Sequence, residues 1–199
     1  MRVLELGCGA GIISLLLLVR EPGVRLEAVE IDSRAAARAR DNFAANGLEA
    51  GVVCGDLRDA SCLPPANSCS LVVCNPPYFA ANSGKQASDA RRAIARSEGG
   101  CTFAEVCAAA ARSLKQGGRF AFVHRAERLA EIFAVLAGKR LEPKRLRLVQ
   151  HSADSAPGLV LCEAVRFGAP GLTVEPALLL HTPDGADSAE ARRIYHLED

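Results

Sequence analysis

The tetrapeptide Asn75-Pro76-Pro77-Tyr78 has the most specific chemistry in the chain. Asn75 offers a side-chain carbonyl and an amide on a short stem. Pro76 has no N–H, and its carbonyl is left to point into a pocket. Tyr78 adds a flat aromatic face, and the two prolines stiffen the turn. Together these groups can hold a planar group bearing an NH2, with two oxygens accepting its hydrogens and a ring stacked on it. An adenine extruded from a nucleic acid fits that description, and so does a glutamine side-chain amide. The competing reading is a proline-stiffened loop whose tyrosine only packs.

Further upstream, Gly7-Cys8-Gly9-Ala10-Gly11 follows a short apolar strand and precedes a helical run. Glycines at alternate positions let the backbone turn tightly and approach a ligand with no Cβ in the way. A helix N-terminus behind them offers N–H groups. The loop points to a nucleotide or nucleoside site. It is not the phosphate loop of NTPases, because no Gly-Lys-Ser/Thr follows, and it departs from the dinucleotide spacing G-x-G-x-x-G. Glu30 ends the next strand about 20 residues on, where a carboxylate can take both hydroxyls of a ribose. Asp32 either joins it or begins the following helix. Asp56 follows the third strand; it can accept from an adenine amino group or cap a turn.

Two basic groups stand near these motifs. Lys85, Arg91, Arg92 and Arg96 lie in a stretch without regular pattern, and could contact phosphates or form a solvated helix face. Lys139, Arg140, Lys144, Arg145 and Arg147 face only Glu142 in the local sequence, and form the best local candidate for a phosphate surface; a charged sheet edge is the alternative. The net charge is only +1, so nucleic-acid binding must come from such patches rather than a global field. None of the eight cysteines forms a C-x-x-C pair, and several sit in apolar runs, so no metal site is expected and disulfides are disfavoured. With no secretory signal and no apolar run of spanning length, the expected location is the cytoplasm and no membrane partner is expected.

These residues need strands that deliver them to one edge. Apolar runs predict strands at 3–6, 26–29, 51–54, 71–74, 119–124, 146–150 and 159–167. Helical patterns occupy 12–20, 33–46, 102–116 and 127–137, with Ser33 as an expected N-cap and Thr102 with Glu105 as a capping box. Strands alternating with helices predict an α/β fold with a doubly wound, mostly parallel seven-stranded sheet. The last two strands, with no helix between them, are expected to form a terminal antiparallel pair. Residues 1–167 read as one domain. Residues 168–199 read as an appendage on it, with a short strand at 178–180 and a final helix at 189–195.

Glycine loop, acid, acid and Asn-Pro-Pro-Tyr after successive strands resembles the Rossmann-like S-adenosylmethionine-dependent methyltransferases that modify amino groups. Asn75 to Phe79, Ala93 to Arg96, Leu114 to Phe120, His124 to Leu129 and Pro170 to Leu172 are similar to the bacterial tRNA1(Val) adenine-N6 methyltransferase family. The resemblance implies a class I methyltransferase fold and methylation of the adenine 3′ of the anticodon in tRNA. It implies S-adenosyl-L-methionine held by Glu5, Gly7, Gly9, Gly11, Glu30 and Asp56, and the target base held by Asn75, Pro76, Pro77 and Tyr78. Methylating a neutral exocyclic amine does not demand a strong base, so His124 is read as structural. Two departures stand out. The family carries a few dozen residues before the first strand where this chain has Met1 and Arg2, so a shortened form is expected, and Ser97 stands where the family often has His. The alternatives are a protein glutamine-N5 methyltransferase, which uses the same turn, and a non-catalytic binding remnant of the fold.

Overall fold

A computed structural model describes residues 1–76 and 100–195. Pro77, Tyr78, Lys85, Arg91, Arg92, Arg96 and Ser97 lie outside the described residues. The chain runs β1 (Arg2–Leu6), α1 (Ile12–Arg20), β2 (Arg25–Glu30), α2 (Ser33–Ala45), β3 (Gly51–Cys54) and β4 (Cys69–Cys74). It continues with α3 (Phe103–Ser113), β5 (Leu114–Arg125), α4 (Leu129–Gly138), β6 (Leu141–Gln150), β7 (Leu159–Arg166), β8 (Thr173–Leu179) and α5 (Ala189–Ile194). The strands form one sheet in the order β3-β2-β1-β4-β5-β7-β6-β8.

The strand β1 shows why the sheet is covered on both faces. Alternate side chains of a strand point to opposite faces. Val3 packs with Leu18, Leu26, Ala39 and Phe43 on the α1 and α2 side. Leu4 and Leu6 pack with Phe103, Val106, Leu114 and Phe120 on the α3 side. A strand buried on both faces reads as a continuous apolar run, and Glu5 is the exception within it. The chain winds outward from β1 through β2 to β3, then returns to β4 on the other side of β1 and winds outward again. The carboxyl ends of β1 and β4 therefore flank a topological switch point, where open α/β sheets bind ligands.

The structure differs from the sequence expectation in extent. Among the described residues the sheet has eight strands rather than seven. The segment 173–179 is not confined to a short apolar stretch; it pairs parallel to β6, with Arg145 opposite Thr173 and Gln150 opposite Leu179. Polar residues and Pro176 hide it in the sequence, and an edge strand tolerates both. Similarly, β6 starts at Leu141 rather than 146, because Pro143 sits at a register shift opposite β7. The expected antiparallel pairing is present, and β7 is antiparallel to both β5 and β6.

Local signals explain the helix ends. Thr102 and Glu105 form the reciprocal capping box of α3. That helix stops at Ser113, and Leu114 already belongs to β5. The N-cap of α2 is Asp32, not Ser33: Asp32 Oδ1 accepts from the N–H groups of Arg34 and Ala35 at 2.8 and 3.1 Å. A carboxylate one residue earlier satisfies two of the orphan donors of the first turn. No helix among the described residues is long and apolar enough to cross a membrane.

Candidate active site

The loop after β1 turns on three left-handed glycines, with φ of 69° at Gly7, 54° at Gly9 and 83° at Gly11. They do different work. A Cβ at Gly7 or Gly9 would meet nothing within 4 Å, so these two leave open space above the backbone. A Cβ at Gly11 would lie 2.8 Å from the Phe43 ring. Gly11 caps α1 and lets α2 pack against it, and it is not among the residues lining the cavity described below.

Two acids brace the loop from either side. Glu30 Oε2 accepts from the Gly9 N–H at 2.8 Å, and its Oε1 accepts from the Asp32 N–H at 2.9 Å. Its carboxylate thus has a fixed position at the end of β2. Glu5 is 2% exposed and points toward α1. Its Oε2 accepts from the Ser14 N–H at 3.0 Å and from the Ser14 hydroxyl. Burial pushes the Glu5 carboxyl up to about 7, against the lowering effect of the Ser14 bonds. Glu5 therefore occupies N–H capacity at the start of α1 that a phosphate would otherwise use. It is not among the cavity-lining residues. Burial also pushes the Cys8 thiol up to about 12, which removes it as a nucleophile at neutral pH.

A cavity of about 310 Å³ opens at the switch point. Gly7 and Gly9 form one side, Glu30 and Asp56 lie on its acidic side, and Asn75 and Pro76 close it from the end of β4. The sequence motifs thus meet in one space. Asp56 is engaged there: its two oxygens accept from the Arg58 guanidinium at 2.5 to 2.9 Å. The Arg58 hydrogen bond holds the Asp56 carboxyl below its ordinary value. Oδ1 accepts from the Arg58 backbone N–H as well, at 2.8 Å, so an amino group arriving at Asp56 shares or displaces an Arg58 donor.

The apolar lining escaped the sequence reading. Ile31 and Leu57 line the cavity, and each directly follows one of the two acids. That repeated acid-hydrophobe pair at consecutive strand ends was the available signal. Cys101 stands just before the Thr102 cap of α3 and Val106 lies in its first turn; no local pattern connects either to the cavity. His124 is buried, packs edge-on to Phe103 at 5.0 Å, and its Nδ1 accepts from the Arg125 N–H at 2.8 Å. Burial holds its pKa below the ordinary value, so it is neutral near pH 7.

The second basic group does not converge on the cavity. Because β6 runs parallel to β4, Lys139 and Arg140 precede β6 at the opposite edge of the sheet from Asn75. Ten residues of strand separate those edges, about 30 Å. The Lys144 ammonium donates to the Ala169 carbonyl at 3.1 Å. Arg145 pairs with Glu175 at 2.7 Å and lies 3.9 Å from Glu163. Arg147 grips Glu190 through two bonds of 2.7 Å. The acids that neutralise the two arginines come from β7, β8 and α5, not from the local sequence. No cluster of three His, Cys, Asp or Glu side chains suited to a metal ion occurs among the described residues.

Comparison with known proteins gives this geometry a context. The family model described as Methyltransferase small domain matches residues 1–137. A tRNA1(Val) (adenine(37)-N6)-methyltransferase of Aeromonas hydrophila is 39% identical over 190 residues, covering 94% of this chain and 77% of the relative. One from Porphyromonas gingivalis is 34% identical over 164 residues, and the match covers 80% of this chain and 64% of that relative. Among solved structures, one described as a predicted O-methyltransferase from Agrobacterium tumefaciens superposes with a TM-score of 0.79 at 19% identity, covering 98% of this chain and 88% of that one. TrmN from Thermus thermophilus superposes at 0.61 and 19% identity, covering 83% and 44%. At such identities the structures speak for the fold alone, a class I methyltransferase fold. The sequence matches go further: the chain belongs to the methyltransferase small domain family and, within it, to the tRNA1(Val) (adenine(37)-N6)-methyltransferases.

Proposed function

We propose that the chain transfers a methyl group from S-adenosyl-L-methionine to N6 of an adenine in tRNA, the adenine 3′ of the anticodon in tRNA1(Val). The observation that carries the reading is the single cavity bounded by the glycine loop, Glu30, Asp56 and Asn75-Pro76. The cavity fits such a cofactor. Its volume lies at the lower end of the range for small-molecule sites, the glycine cradle is open where a Cβ would stand, and an anchored carboxylate is present for a ribose.

When bound, the cofactor supplies an electrophilic methyl on a sulfonium. The chain's part is positioning. Gly7 and Gly9 let the backbone approach the ligand, and Glu30 accepts from ribose hydroxyls. Asp56 accepts from the adenine amino group of the cofactor, and Ile31 and Leu57 exclude water around that ring. At the other end, the Asn75 side-chain carbonyl and the Pro76 carbonyl accept the two N6 hydrogens of the target base. Those bonds turn the nitrogen lone pair toward the methyl and set up an in-line displacement. The nitrogen gains the methyl and then gives one proton to water, so no strong base is required. From the sequence, Pro77 and Tyr78 complete this clamp. The reading takes 1–167 as the methyltransferase domain and 168–199 as an appendage on it, and it places the reaction in the cytoplasm. The β6–β8 pairing supports the appendage packing on the same sheet.

The test is radiolabelled methyl transfer to unmodified tRNA, alongside a glutamine-bearing protein substrate and calorimetry with S-adenosylhomocysteine. Wild type is expected to label tRNA at adenine N6. Asn75→Ala is expected to lose about 100-fold or more in turnover, on the scale of removing one preorganised polar contact, with product affinity within about threefold of wild type. Labelling of the protein alone, or full activity in the variant, would overturn the proposal.

A further inference from the structure

The strands beyond β4 rise past the site. Register carries the level of Cys74 across β5 at Phe122, and Arg125 of β5 stands level with Leu159 of β7 and Val149 of β6. The strands β5, β6 and β8 therefore continue above Asn75 as a wall on one side of the cavity mouth. Backbone bonds lace its rim: Ala126 N–H to the Gly158 carbonyl at 3.2 Å, Gly158 N–H to Val149 at 3.0 Å, Leu180 N–H to Gln150 at 2.9 Å and His181 N–H to His151 at 2.8 Å. A rim so tied holds its backbone in place.

At the top of this wall stand two histidines. The rings of His151 and His181 are 4.4 Å apart between centroids and tilted by 55°. His151 is exposed. The His181 side chain is 29% exposed, with its Nδ1 turned inward, 3.3 Å from Asp187 Oδ1. A β-bridge between His181 and Asp187 fixes that contact. Half-exposed Arg125 lies on the same rim, toward the cavity, 3.7 Å from the more exposed Glu127, a loose pair that a phosphate would replace. From strand spacing and rise, His151 is about 20 Å from Asn75, within a few nucleotides of an extruded base. The basic cluster on β6 cannot serve this role, because its arginines are spent on Glu163, Glu175 and Glu190.

We propose that the His151–His181 pair is an RNA contact: a platform for an unpaired base of the strand that carries the target adenine, with Arg125 toward its phosphate. Proteins that read single-stranded RNA stack splayed bases on aromatic rings, histidine included, and add cations along the backbone. This inference rests on the nucleic-acid reading above.

The experiment is fluorescence anisotropy with a fluorescein-labelled RNA stem-loop bearing an unpaired adenine. It compares wild type, His151→Ala/His181→Ala and His181→Phe. The double variant is expected to bind at least about 5-fold more weakly, the lower end of base–aromatic stacking. Its S-adenosylhomocysteine affinity and melting temperature should match wild type, and His181→Phe should retain most of the RNA affinity. Unchanged RNA affinity in the double variant, or no RNA binding by wild type, would overturn the inference. RNA binding that depends on the pair without any methyl transfer would uphold the platform and remove the catalytic reading.

Discussion

Glu5 is an acid within β1, four of whose five residues are buried, and its proton couples stability to pH. The Ser14 bonds favour the anion, but burial outweighs them, and nearby Glu30 adds to the rise. An unfolded chain gives up this proton near 4.5, while the folded chain keeps it to about 7. Between those values the folded state holds more protons, so stability falls as pH rises through the window and stays lowered above it. The gap corresponds to roughly 3 kcal/mol at pH 8. Glu5→Gln keeps an acceptor for Ser14 and carries no charge. It is expected to match wild type near pH 4.5 and to exceed it by up to about that amount at pH 8. Urea unfolding at both pH values measures this, and a difference between the two proteins that does not vary with pH would contradict it.

At the scale of elements, the loop between β1 and α1 separates two uses of one residue type. Gly9 and Gly11 both have positive φ, so alanine at either costs about 1–2 kcal/mol in backbone strain. At Gly11 the new Cβ also meets the Phe43 ring, which locks α2 against α1. Gly11→Ala is therefore expected to lose about 2–4 kcal/mol of stability. Gly9→Ala has room for its methyl, but that room is the cavity. It is expected to keep most of its stability and to lose at least tenfold in S-adenosylhomocysteine affinity, about 1.4 kcal/mol. Calorimetry paired with thermal melting separates the two, and equal loss of affinity and stability in both variants would refute the division.

At the scale of the whole molecule, long-range charge pairs hold β8 and α5 on the sheet. The Arg147 guanidinium donates to both Glu190 oxygens at 2.7 Å, and also to the Pro176 carbonyl at 2.9 Å. One side chain of β6 thereby ties down β8 and α5. A fork of this kind fixes geometry as well as energy. Arg147→Ala is expected to raise amide exchange across β8 by roughly tenfold while exchange in β1 and β4 stays unchanged. Cofactor affinity should not change, because the cavity lies at the other side of β5. Hydrogen exchange read by mass spectrometry resolves the segments.

By itself the sequence determined the parallel core and the meeting of Gly7, Gly9, Glu30, Asp56, Asn75 and Pro76 at one cavity, but neither its apolar lining nor the turning away of Glu5 and Gly11 from it. Each of those signals is local: a glycine loop, Glu30, Asp56 and Asn75 stand directly after apolar strands, and parallel winding brings the ends of such strands to one edge. Ser33 was displaced as N-cap by Asp32 because two neighbouring residues compete for the same amides, and sequence cannot rank them. What only the tertiary structure decided was which distant groups meet. Arg145 and Arg147 read as part of a cationic surface because their partners, Glu163, Glu175 and Glu190, lie 18 or more residues downstream of Arg145. The tilted contact of His151 with His181 likewise exists because β8 adds to β6 in parallel register. Charge pairing and ring contact depend on separations of a few ångströms, and strand pairing across the sheet sets those separations.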